Sequence, residues 1–212
     1  MFINAVYRKY CCCAFLLVSM LLASCTYSPP RIYTNIENVR AQAGSHIIAV
    51  SVTYQLLRDP TGINTFPNGG VPKLLDEKAK IYLCDVDTLE IRRVASISPS
   101  SSVKSTWQPW ILGWANGSLF FQVMGRSGTR LKDFQNLNTV IYQVDPDGKL
   151  SEAKEAPRGI TFQHNTGPLP QGIFVRVSRG HNMIDIKTEK HKEWQTMFKI
   201  DNAKGELISV KK

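Results

Sequence analysis

A strand–turn–strand unit recurs three times along this chain and restricts it to antiparallel β architecture. Ile81-Tyr82-Leu83-Cys84-Asp85, Ile141-Tyr142-Gln143-Val144-Asp145 and Met197-Phe198-Lys199-Ile200-Asp201 each read apolar, aromatic, any residue, apolar, Asp. A polar turn follows each copy, and a second run begins at Ile91, Leu150 and Leu207. The starting residues Ile81, Ile141 and Met197 lie 60 and 56 positions apart. Side chains alternate across a strand, so the aromatic residue and its apolar neighbours face opposite sides of a sheet. An Asp at the strand end accepts hydrogen bonds from the turn backbone, and Asp147-Gly148 suits a tight turn. Repetition of Asp85, Asp145 and Asp201 at one position predicts turn caps rather than catalytic carboxylates.

A further strand pair precedes each hairpin. In the second unit Trp110–Trp114 and Ser118–Met124 flank Asn116-Gly117, a strong hairpin signal. Ile160–Gln163 and Gly172–Val177 serve in the third unit. The first has the β-rich run 46–57, with a weaker partner near Ile32–Ile36. Each unit of about 57 residues thus reads as a four-stranded antiparallel meander. The expected fold class is all-β, and the pattern resembles the blades of β-propellers. Propellers typically have four to eight blades. Three units therefore imply closure by a homodimer, or a different packing such as a β-sandwich or an open barrel. Met183–Trp194 is too charged and too rich in Ile and Thr for a helix. The stretches 58–79 and 125–138 read as loops, the first with three prolines and three glycines, and are the better places for recognition.

The N-terminus carries a different message. Arg8 and Lys9 precede Cys11–Ser24, an uncharged apolar run too short to span a bilayer. It ends in Leu22-Ala23-Ser24-Cys25, which resembles the lipobox of bacterial lipoproteins. The resemblance implies diacylglyceryl transfer to the Cys25 thiol and cleavage between Ser24 and Cys25. Residues 1–24 are then the signal peptide, 25–45 a lipidated cysteine with a flexible tether, and 46–212 the β domain. Thr26, where retained inner-membrane lipoproteins often carry Asp, directs the expectation to the outer membrane, facing the periplasm.

Loss of Arg8 and Lys9 leaves 24 basic and 17 acidic residues, a charge of +7. That excess suits anionic envelope material, whereas nucleic acid is an improbable partner for an exported, tethered chain. Cys25 and Cys84 are the cysteines left after processing. With Cys25 lipidated, no internal disulfide is available, and Cys84 reads as a buried small apolar residue.

No nucleophile motif is present, and His181, Asp185 and His191 match no tight metal-ligand spacing. No metal or cofactor is expected besides the covalent lipid on Cys25, and no catalytic residue is assigned. Trp110 and Trp114 share a strand face at even spacing and read as core, with Trp107 just before them. The alternative is an aromatic platform. The candidate binding residues are Trp107, Trp110, Arg126 and Arg130. The sequence points to a membrane-anchored envelope lipoprotein that binds or scaffolds an envelope protein or an anionic envelope polymer. The alternative is a cell-wall-directed hydrolase on a propeller-like scaffold.

Overall fold

The computed structural model describes residues 29–58, 73–98, 107–126, 137–160, 174–178, 180–187 and 193–210. The chain divides into two compact units, 1–31 with 56–75 and 32–55 with 76–212. The second unit holds the paired sheets.

The described residues form twelve strands and no helix. The first sheet comprises β1 (Arg31–Ala41), β2 (Ile47–Arg58), β3 (Lys73–Asp85) and β4 (Ile91–Ile97). The second comprises β5 (Trp107–Ala115), β6 (Ser118–Arg126), β7 (Leu137–Val144) and β8 (Leu150–Ala153). The third comprises β9 (Phe174–Val177), β10 (Met183–Lys187), β11 (Gln195–Asp201) and β12 (Glu206–Ser209). In each sheet the strands pair in chain order, as an antiparallel meander. The sheets are separate and do not close into a barrel.

The repeated hairpins are the third and fourth strands of the three sheets. Tyr82 pairs with Arg93, Tyr142 with Glu152 and Phe198 with Ser209. Each repeated Asp caps its turn. Asp85 Oδ1 accepts from the N–H groups of Asp87 and Thr88, each at 2.9 Å. Asp145 Oδ1 accepts from Lys149 N at 2.7 Å, and Asp201 Oδ1 from Ala203 N at 2.9 Å.

Three segments depart from the sequence expectation. Residues 31–41, placed within the tether with only a weaker strand near Ile32–Ile36, form β1 over their full length. Their polar Asn38 is buried at 2% exposure, and its carbonyl accepts from Ser51 Oγ at 3.2 Å. Residues 73–79, expected in a loop, begin β3, and the polar side chains that disguised this stretch are paired. Gln55 donates to Glu77 at 2.7 Å, and Lys78 meets Asp76 at 2.8 Å. In the third sheet Phe174–Val177 is the first strand rather than the second, and Met183–Lys187 is the second. Ile184 and Ile186 explain that assignment, since alternation carries both into the core. Residues 161–163, expected in the first strand of that unit, lie outside the described residues.

The first sheet is the middle layer. Ile48, Val50 and Val52 of β2, with Tyr82 and Cys84 of β3, share a cluster with Ile184, Ile186 and Phe198 of the third sheet. On the opposite face Ala49, Ala79 and Ala95 share a cluster with Ile111, Trp114 and Phe121 of the second sheet. Three alanines and Ile81 of the first sheet thus receive bulky residues from the second, which fills the layer. Burying each large apolar side chain contributes about 1.5–3 kcal/mol. In the pairing of first and third sheets, Ile36 N donates to His181 O at 2.7 Å, and Arg93 of β4 reaches Glu206 of β12 at 2.9 Å. First-strand side therefore meets first-strand side, and last strand meets last strand. This same-sense stacking of meanders is consistent with a propeller-like or a sandwich arrangement.

Candidate functional site

A cleft of about 400 Å³ opens at the turn end of the first and second sheets. Its aromatic floor follows from a backbone irregularity. Ile111 pairs with Phe121 but Gly113 pairs with Phe120, so one extra residue bulges from β5. Gly113 takes a φ of 140°, which a side chain would resist. The bulge reverses the alternation, putting Ile111 and Trp114 on the same face although they are three apart. Trp114 turns into the core at 6% exposure, while Trp110 stays outside at 39%. The expected sharing of one face by Trp110 and Trp114 is thereby corrected.

The β5–β6 turn closes one wall. Asn116 and Gly117 both have positive φ, 51° and 78°, as a type I′ hairpin turn requires. Leu83, Leu119 and Val144 complete the apolar lining. The rim is polar and comes from both sheets: Gln42, Asp85, Glu90 and Arg92 from the first, Asp145 from the second. A second recess of about 360 Å³ shares Gln42, Trp114 and Gly117 with the cleft and adds Arg158. The two form one continuous groove.

The rim carboxylates Asp85 and Asp145 are preorganised by their turns. Backbone N–H groups of Thr88 and Asp87 hold the Asp85 carboxyl below the usual carboxylate range, against a smaller opposing effect of burial. Each carboxylate uses one oxygen in its own turn and keeps further acceptor capacity. Arg92 lies beside the Asp145–Lys149 turn; a Cβ at Gly148 would sit 3.7 Å from its guanidinium. The chemistry offered is an aromatic floor with fixed acceptors and a cation at the rim, which suits binding. The lining among the described residues holds no histidine, cysteine or serine.

The expected site residues fall elsewhere. Trp107 opens β5 opposite Gly125, and Arg126 ends β6 opposite Leu137, so both backbones lie at the other end of the second sheet from the cleft. Trp110 faces outward with the Arg40 guanidinium 6.0 Å from its ring centre. Arg130, Ser24, Cys25 and the segments 59–72 and 127–136 lie outside the described residues. His181 and Asp185 do not converge: His181 Nδ1 lies 3.3 Å from Ile36 O, and Asp185 is held by Arg176 and Thr196. His191 is also outside the description. Among the described residues no cluster of three or more metal-ligating side chains occurs.

Sequence reasoning passed over Arg92 and Gln42 as binding residues and read Trp114 as core, with an aromatic platform as the alternative. The available signal was positional: Asp85, Asp145 and the Asn116-Gly117 turn all mark the same end of their meanders. Comparison with protein-family models, with curated proteins and with solved structures finds no match.

Proposed function

We propose that the chain is a bacterial envelope lipoprotein, anchored through a lipid on Cys25, that binds an envelope component in the cleft between its first and second sheets. The anchor rests on Leu22-Ala23-Ser24-Cys25 and the short apolar run before it. Two or three acyl chains hold a protein far longer than the marginal binding of one. The outer membrane facing the periplasm is the compartment this reading favours.

The observation that carries the binding role is the cleft itself. It is within the size range of small-ligand sites, has an apolar floor, and carries a few fixed polar groups. Its acceptors are set by turn geometry before any ligand arrives, which lowers the ordering cost of binding.

The test is photo-crosslinking in intact cells from a benzophenone amino acid at Gln42, with the same probe at exposed Lys199 as reference. One envelope component captured from Gln42 and not from Lys199, and lost in Arg92→Glu, is the expected result. Equal capture from both positions would remove the cleft as the binding site. Membrane fractionation of Cys25→Ser tests the anchor separately, with release into the soluble fraction expected.

A further inference from the structure

A third recess lies at the opposite end of the first sheet. Lys78, Lys80, Arg93, Lys204, Glu206 and Tyr54 line about 260 Å³ of mostly polar space. Four cations thus surround one carboxylate. Lys80 is the fixed floor: its side chain is 5% exposed, and its ammonium donates to Gly205 O at 2.8 Å and Glu206 Oε1 at 2.9 Å. It also lies 4.2 Å from the Tyr54 ring centre. Glu206 accepts in addition from Tyr82 and from Arg93. The single carboxylate of the recess is therefore fully engaged.

The other cations retain donors. Arg93 is half exposed and gives one nitrogen to Glu206, leaving much of its five-donor fork free. Lys204 has no ion-pair partner among the described residues, and Lys78 is balanced by Asp76 from one side. A recess with a rigid positive floor and several outward donors fits an anion bearing multiple oxygens, and phosphate matches the guanidinium fork.

A separate observation bears on the source of that phosphate. A Cβ at Gly205 would stand 3.0 Å from Ile32 Cγ2, so the first residues of β1 border the Lys80–Gly205 corner. Ile32 lies seven positions after Cys25, and an extended chain covers at most about 25 Å over that span.

We propose that this recess takes the phosphate of an anionic membrane lipid, with Lys204, Arg93 and Lys78 as ligands above the Lys80–Glu206 floor. The choice of a lipid over free phosphate rests on the Cys25 anchor proposed above. Bound there, the phosphate orients the domain on the membrane and directs the cleft at the far end of the first sheet away from it.

The test uses purified full-length protein in solution, titrated with dihexanoyl phosphatidylglycerol, dihexanoyl phosphatidylcholine and inorganic phosphate by calorimetry. These probes do not require the anchor, so this outcome is independent of Cys25→Ser fractionation. Preference for the phosphatidylglycerol is expected, falling about fivefold in Lys204→Gln and about 25-fold in Lys78→Gln/Lys204→Gln. Lys204 is exposed and Lys78 partly exposed, and unchanged circular dichroism verifies the fold of both variants. Equal affinity for the two lipids, or affinity unchanged in the double variant, overturns the site. Inorganic phosphate binding as tightly as the anionic lipid overturns the lipid as its source.

Discussion

Replacing Glu206 by Gln tests whether a counter-charge holds Lys80 between the first and third sheets. Glutamine keeps the shape and still accepts a hydrogen bond, but it leaves an ammonium out of water without its ion. Removing one partner of a buried pair costs about 3–5 kcal/mol, whereas an exposed pair contributes about 0–1 kcal/mol. Lys80 is 5% exposed and Glu206 32%, so water screens one side of this pair. The expected loss is about 2–3 kcal/mol at pH 7, below the fully buried figure. Arg93, at 50% exposure, adds little. Urea denaturation of the full-length protein reads the loss as a lower midpoint at unchanged slope. The pH dependence has a definite sign. Burial alone would raise the Glu206 carboxyl, but bonds from Tyr82 and Lys80 and the charges of Lys80 and Arg93 hold it below its ordinary value of 4.5. Its stabilisation is therefore complete above that ordinary value and disappears as pH falls through the lower folded value. The gap between wild type and variant narrows over the same window. In a Lys80→Met background the cost of Glu206→Gln drops to that of the contacts with Tyr82 and Arg93, and the difference is the coupling energy. A loss under about 0.5 kcal/mol, or an equal loss in both backgrounds, would refute the reasoning.

Trp114→Ala is expected to cost about 3–5 kcal/mol, because it empties the layer between the first and second sheets. Trp110→Ala, on the outward face of the same strand, is expected to cost under about 1 kcal/mol. Urea midpoints check the contrast, and similar losses would contradict the bulge at Gly113. Burial pushes the Cys84 thiol up to about 12, so it is expected to ignore iodoacetamide at pH 8 in the folded protein and to react in urea. Labelling of Cys84 at equal rates in both states would place it outside the core. Asp145→Ala removes the acceptor for Lys149 N and is expected to cost about 1 kcal/mol, read as a small midpoint shift with the cleft rim loosened.

Legibility in the sequence followed the range of the interactions. The hairpins β3–β4, β7–β8 and β11–β12 were readable because each is a local unit with a capped turn and an alternating pattern. The three Asp caps were readable for the same reason. β1 was readable only as a weaker partner strand near Ile32–Ile36, and the start of β3 was not readable, since Glu77 and Lys78 read as solvent-facing; Glu77 is bonded by Gln55, 22 residues away, and Lys78 by Asp76. Lys80 and Glu206 lie 126 residues apart, and no local pattern joins them. Trp114 misled by one register step: a bulge in β5 inverts a face that even spacing assigns correctly in a regular strand. The cleft is assembled from two sheets, so its position depended on which layer was central.

That central layer explains why the two candidate sites differ in chemistry. β2 is buried on both faces over Ile48–Thr53, so its residues must satisfy two neighbours at once. Toward the second sheet it offers Ala49, and that interface is apolar, small against large. Its opening at the turn end is a groove with a tryptophan floor. Toward the third sheet the apolar contact of Val50 and Val52 gives way, near Tyr54, to Lys80 and Glu206. That interface ends in charge, beside the first residues of β1. The cleft is lined from the β1–β2 turn, through Gln42 and Ile47, whereas the basic recess is lined from the far end of β2. One sheet thus separates an apolar-floored groove from a cationic recess along its strands, and the recess is the one at the end where the chain arrives from Cys25. The proposed lipid at Cys25 and the proposed phosphate in the recess would therefore act on the same end of the first sheet, and would leave the groove open to a partner.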